Sequence, residues 1–207
     1  MINLDIKYSL EDEILRIKNT AERIKHYKEH GYKVFLPKNL SMDDPNIEES
    51  LINTEYIKEL LSSEYDEENY KNNEKYLLNE LPKIDFVLNH FFKLSSLKPQ
   101  ETYKIIFTRY GVGGSYYPPD CVIINVRTRK EKQITISIIH EIIHLSIQHL
   151  IDKYEIDHWK KERVVDLIMN EIAPEINIMQ NIPINTEKID EAFKKNYPDI
   201  EEITKNI

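Results

Sequence analysis

Ile139-His140-Glu141-Ile142-Ile143-His144-Leu145 decides how this chain of 207 residues is read. Two histidines four apart on a helix project the same way, one turn from each other. Their rings can then grip one metal ion, with the intervening glutamate beside it and close to a metal-bound water. The apolar residues around the motif predict a long helix from about Lys130 to Asp152.

On a helical wheel of about 100° per residue, Ser137, His140, Glu141, His144 and Gln148 share one arc, flanked by isoleucines and leucines. A polar stripe on so apolar a helix lines a cleft or is buried, and buried polar groups need partners. His149 points well away from that arc and is not counted as a ligand. Ile147 and Leu150 stand where a Gly and a third His would be needed for an extended motif with its third ligand on the same segment, so that subclass is excluded.

A catalytic zinc ion takes three protein ligands and keeps one place for water, so a third ligand is sought downstream. The next helix, at about 158–172, begins His158-Trp159-Lys160-Lys161-Glu162-Arg163-Val164-Val165-Asp166. Seventeen residues separate His144 from Glu162, enough for a helix end, a turn and an antiparallel return. Glu162 can be the third ligand. Asp166, one turn on, can accept a hydrogen bond from the free ring nitrogen of a ligand histidine and fix its tautomer. The alternative is that both acids merely partner Lys160, Lys161 and Arg163 on a solvated face.

Around these helices the pattern is mixed. Ser9 to His30 reads as an amphipathic helix, Tyr32 to Leu36 as a short strand, residues 38–46 as a loop, and 47–97 as two or three helices, the last opening near Pro82. Tyr103–Tyr110 and Cys121–Val126 are β-prone, and a last helix lies near 186–196. Gly111-Val112-Gly113-Gly114-Ser115 holds three of the four glycines, which predicts positive φ or close backbone approach. It lacks the lysine of a P-loop and precedes no helix, so it is read as a turn leading to a strand. The boundary suggested by this change of character divides a mostly helical region, 1–99, from a region 100–207 that holds the motif.

Composition narrows the classes. With 41% apolar residues, the chain can bury a core. A net charge of −8 argues against nucleic-acid binding. Residues 41–80 hold 12 Asp or Glu against Lys58, Lys71 and Lys75, a net of −9, so the remainder is about neutral; the stretch is read as a solvated helical face, with a cover or pro-segment over the cleft as the alternative. Arg127, Arg129, Lys130 and Lys132 form a basic run, read as a solvated connection, with contact to an acidic substrate as the alternative. Cys121 is the single cysteine, so no intramolecular disulfide forms. It is read as a core residue, with a Cys–His–His ligand set as the alternative. With no basic-then-apolar leader and no uninterrupted apolar span, the expected location is cytoplasmic.

His140-Glu141-x-x-His144 followed by Glu162-x-x-x-Asp166 resembles the gluzincin branch of zinc metallopeptidases, the thermolysin-like clan, over about residues 103–172. The resemblance implies an α+β, zincin-like domain with a small sheet, an active-site helix and a glutamate helix. It implies Zn²⁺ held by His140, His144 and Glu162, with Glu141 as general base in the hydrolysis of a peptide or protein substrate. It further implies a strand that pairs with extended substrate, for which Cys121–Val126 is the candidate. Larger members supply a transition-state donor from a second helical subdomain. Only 35 residues follow Ile172, leaving Tyr154, His158, Tyr116 and Tyr117 as substitutes for that donor. Two rivals stand beside this reading: a metal-binding module that clamps a partner peptide without turning it over, and a helical interaction protein with a coincidental motif.

Overall fold

Four short β-prone runs meet in one sheet although they span more than a hundred residues of sequence. The computed structural model describes residues 2–127, 130–176 and 179–207; Arg129 of the basic run lies outside them. Strands β1 (Leu4–Lys7), β2 (Tyr103–Thr108), β3 (Gly114–Tyr117) and β4 (Cys121–Asn125) are ordered β1-β2-β4-β3. β1 and β2 pair in parallel, as do β2 and β4, while β3 runs antiparallel to β4. A parallel pair needs a long crossover, and five helices supply it between β1 and β2: α1 (Leu10–Glu22), α2 (Ile24–Glu29), α3 (Ile47–Ile52), α4 (Thr54–Glu64) and α5 (Glu67–Ser95). After the sheet come α6 (Glu131–Lys153), α7 (His158–Ile172), α8 (Glu187–Asn196) and α9 (Ile200–Lys205). The chain is a mixed α+β protein, mostly helical, with a small sheet.

Several local expectations are corrected. β1 lies ahead of the first element expected from the sequence, its Ile6 opposite Ile105 of β2. The helix expected over 9–30 starts where Ser9 accepts from Asp12 N at 3.0 Å, but breaks at Arg23, whose backbone caps both α1 and α2. Tyr32–Leu36 makes no named strand; Phe35 forms an isolated bridge to Gly111. Pro82 lies inside α5 and opens no helix. An interior proline costs roughly 3 kcal/mol. The buried Leu77, Ile84, Val87, Leu88 and Phe91 flank it on the core face, each worth about 1.5–3 kcal/mol on burial, and hold the two halves together.

α6 is apolar on nearly every side because it is enclosed: Ile134, Ile138, Ile139, Ile142, Ile143 and Ile147 are fully buried between the sheet, α5 and α7. Its length and composition would also suit a membrane span, but 67% of that window is buried inside the protein, as in a core helix. The main core runs across residue 99, joining α5 to β2, β4, α6 and α7. A second, smaller core gathers Ile17, Ile24, Leu36, Ile47, Leu51, Ile57 and Leu61 around Tyr110.

Arg16 of α1 ties the two together. Although 1% exposed, it donates to the carbonyls of Tyr110 (3.4 Å) and Val112 (3.3 Å) and to Ser115 Oγ (3.1 Å). Its guanidinium fills the space beside Gly111, which has φ +74°, so any Cβ there would lie 2.4 Å from Arg16 Nε. The glycine cluster is therefore a turn clamped from below, and it delivers β3 to the edge of the sheet.

Candidate metal centre

On α6, His140 and His144 turn their Nε2 atoms toward each other at 3.0 Å. From α7, Glu162 Oε2 stands 3.5 Å from His140 Nε2 and 3.3 Å from His144 Nε2. Ligands held tetrahedrally at 2.0–2.1 Å from a zinc ion lie about 3.3 Å apart, so this triangle has the edges the ion requires. Among the described residues it is the group of His, Cys, Asp and Glu whose ligand atoms gather closely enough to hold a metal ion. The donor set fits: two imidazoles and a carboxylate, with Glu162 and His144 buried.

Electrostatics favour the ligating forms of Glu162 and His144 but draw His140 toward its protonated form. Burial alone would raise the Glu162 pKa, but His144 and His140 hold the carboxyl well below its usual range. Burial lowers His144 to about 4, which leaves it neutral with a lone pair to share. His140 is drawn upward despite its burial by Glu162 and Glu141. Two rings 3.0 Å apart beside one carboxylate form a seat for positive charge, filled either by a proton or by a cation.

Glu141 lies on the same helix face, pressed against β3: a Cβ at Gly114 would sit 2.3 Å from its Oε1. Close backbone approach, one of the two reasons expected for the glycine cluster, thus operates at Gly114, and positive φ operates at Gly111. The strand read as substrate-facing is corrected. Cys121–Asn125 is flanked by β2 on one side and β3 on the other, so neither edge is open. The sheet ends at β3, Gly114–Tyr117.

Asp166 is buried beside the centre, but its described hydrogen bonds are to Gln180: the backbone N donates to Oδ2 at 2.8 Å and Nε2 to Oδ1 at 3.4 Å. The same Gln180 Nε2 donates to Glu162 Oε2 at 3.0 Å. Through Gln180, Asp166 is linked to Glu162, and the His140 ring acts on its charge. Burial raises its pKa, opposed by Gln180 and by the His140 ring. Gln180 follows Pro174 in a segment without periodicity, and no sequence signal marks it.

The expected donors separate. Tyr154 caps α6 fourteen residues beyond His140, about 21 Å along the axis, and bonds to Glu201 Oε1 at 3.0 Å; it is no part of the cleft. His158 is at the centre, with Nδ1 3.8 Å from Glu162 Oε1 and Nε2 2.7 Å from the hydroxyl of Tyr32. Tyr116 stacks on His144, its ring 4.9 Å away and nearly parallel, and its hydroxyl accepts from Lys161 Nζ at 2.9 Å. Tyr117 lies beneath Arg23, 5.3 Å away. Cys121 sits at the start of β4, outside the ligand group, its thiol pKa pushed up by burial.

Tyr32 was not anticipated. Burial first, then the charges of Glu162 and Glu141, push its phenol pKa up, so its oxygen keeps its proton next to both carboxylates. It belongs to a wall from the N-terminal region, formed by Arg23, His26, Tyr27, Tyr32, Lys33 and Phe35, that closes a cleft of about 880 Å³ over the metal centre. No described residue of the acidic stretch 41–80 lines that cleft. Arg127 donates to Leu36 O at 2.9 Å and fastens the wall to the sheet, so this member of the basic run is structural.

Compared with known protein families, curated proteins and solved structures, the chain matches none. The class that fold and site define is a mixed α+β protein with a His-His-Glu group able to hold a metal ion.

Proposed function

We propose that the protein is a zinc-dependent peptidase of gluzincin type with a zincin-like fold. The observation that carries this reading is the triangle of His140 Nε2, His144 Nε2 and Glu162 Oε2, with edges of 3.0, 3.3 and 3.5 Å, lying next to Glu141 and the free edge of β3.

In this reading His140, His144 and Glu162 hold zinc, which when bound supplies a Lewis acid and brings the pKa of water to about 7. The free N–H and C=O groups of β3 bind an extended peptide as an added strand and present one amide to the cleft. Glu141, fixed against Gly114, removes the proton of the attacking water and passes it to the leaving nitrogen. The Tyr32 hydroxyl, oriented by His158 at 2.7 Å, turns to donate to the oxygen that becomes negative. A donor from the N-terminal wall would fill the role that larger relatives give to a second subdomain.

The experiment is hydrolysis of a denatured-protein mixture by the metal-loaded protein, with and without chelator, beside Glu141→Gln. Chelator-sensitive cleavage that disappears in a Glu141→Gln protein still carrying zinc supports the proposal. Stoichiometric zinc without turnover would replace it with a peptide-clamping module, and absence of bound zinc would end both readings.

A further inference from the structure

Beside the ligand pair His140 and His144, three more of the seven histidines, His26, His30 and His158, gather, with His26 and His158 lining the same cleft. We infer that His26, His30 and His158 form a second binding site for a divalent transition-metal ion at the cleft rim. His26 and His30 are four residues apart, with His30 at the C-cap of α2, so both project to one side. His158 opens α7 opposite them. The ring centroids are 4.1 Å apart for His26–His30, 5.3 Å for His30–His158 and 5.8 Å for His26–His158. Three imidazoles on one tetrahedral ion, each with its nitrogen at 2.0–2.1 Å, have centroids about 5 Å apart, inside the span of these values.

The hydrogen bonding of His30 suits the role. Its Nδ1 lies 2.9 Å from the carbonyl of His26; a carbonyl only accepts, so Nδ1 carries the proton and Nε2 keeps its lone pair. Ligand histidines commonly use a carbonyl in this way to fix tautomer and ring direction. His158 Nε2 already accepts or donates at Tyr32 OH, so a metal there replaces that bond or shares it with the phenol oxygen. The three sets of nitrogens are not drawn together as tightly as those of the buried centre. His26 is exposed, and the site requires its side chain to rotate toward the other two rings. An all-imidazole site suits Ni²⁺, Cu²⁺ or Zn²⁺ and not Ca²⁺ or Mg²⁺.

Trp159, the single tryptophan, supplies the readout: its ring is 4.7 Å from that of His158 and 6.0 Å from that of His30. Protein loaded with one zinc equivalent is titrated with Ni²⁺, following tryptophan fluorescence and bound metal together. The expected result is one further equivalent with saturable quenching. In His26→Ala/His30→Ala that equivalent binds at least tenfold more weakly, and the quenching no longer saturates over the same range. In His140→Ala/His144→Ala the rim equivalent remains while the first is lost, so failure of the rim site and failure of the buried centre are distinguishable. If the latter variant does not fold, the rim variant decides alone, since it alters residues outside the core. Unchanged second-equivalent binding in His26→Ala/His30→Ala, or none in the unsubstituted protein, overturns the inference.

Discussion

The backbone of Gly114 lies against the carboxylate of Glu141 so closely that a single methyl group would sit 2.3 Å from Oε1 and 3.0 Å from Cδ. A side chain at position 114 must therefore displace either the edge strand or the proposed base. Gly114→Ala is expected to lower kcat by on the order of 10²-fold, the cost of misplacing a reacting group by about an ångström. Zinc content, measured in parallel, should be unchanged, because the three nearest atoms the new methyl meets all belong to Glu141 and none to His140, His144 or Glu162. Unimpaired turnover would mean that Glu141 works from another position.

Gln180 bridges Asp166 to Glu162 Oε2. Removing such an outer partner usually costs 10–100-fold in metal affinity or activity. Gln180→Ala should therefore release zinc to a competing chelator at about 10–100-fold lower chelator activity, with the fold intact by circular dichroism. Unaltered affinity would show that Glu162 needs no support.

Tyr32→Phe deletes the hydroxyl that meets His158 Nε2 at 2.7 Å and leaves the ring packing against Tyr27. Loss of one oxyanion donor typically costs about 10²–10³ in kcat. The drop should appear in kcat with little change in KM or zinc content. A change confined to KM would make Tyr32 a substrate-binding residue only.

Outside the His-His-Glu group, Glu13 is buried, receives hydrogen bonds from Tyr70 OH and from Arg109 N (2.9 Å), and has its pKa raised by burial to about 7. A carboxyl whose folded pKa exceeds its unfolded value near 4.5 binds more protons in the folded state between those two values. Its contribution is fully present below about pH 4.5 and is lost as pH rises through about 7. Urea denaturation at several pH values should show the unsubstituted protein losing stability relative to Glu13→Gln across that window, by a few kcal/mol. Parallel pH profiles for the two proteins would contradict the raised pKa.

The metal triangle was legible because helical periodicity alone aligns His140 with His144, and one antiparallel return brings Glu162 to them. Local rules also gave the bounds of α6 and α7, where caps and apolar spacing agree. What escaped depends on distant partners. β1 is only four residues long and becomes a strand through β2, a hundred positions on. Pro82 reads as a helix start because sequence carries no sign of the packing that holds α5 through it. Tyr32 and Gln180 sit in segments without periodicity, and their roles arise from where docking leaves them. The edge strand was misassigned because β-propensity marks Cys121–Val126 strongly, while edge position is a property of pairing order.

Tyr32 and His158 meet across 126 positions of sequence, whereas His140, His144 and Glu162 all fall within one helical hairpin. The two halves of the centre therefore differ in the length of chain that must close to form them. Closing the short hairpin loop costs less entropy than closing the far longer loop that brings the wall to it. Partial opening of the N-terminal helices would then leave a chain that keeps the His-His-Glu group able to hold an ion but has shed Tyr32 and the wall of the cleft. If the proposed peptidase function holds, metal content and competence would part company in such a state, with occupancy reporting that the hairpin has formed and turnover reporting that the whole chain has.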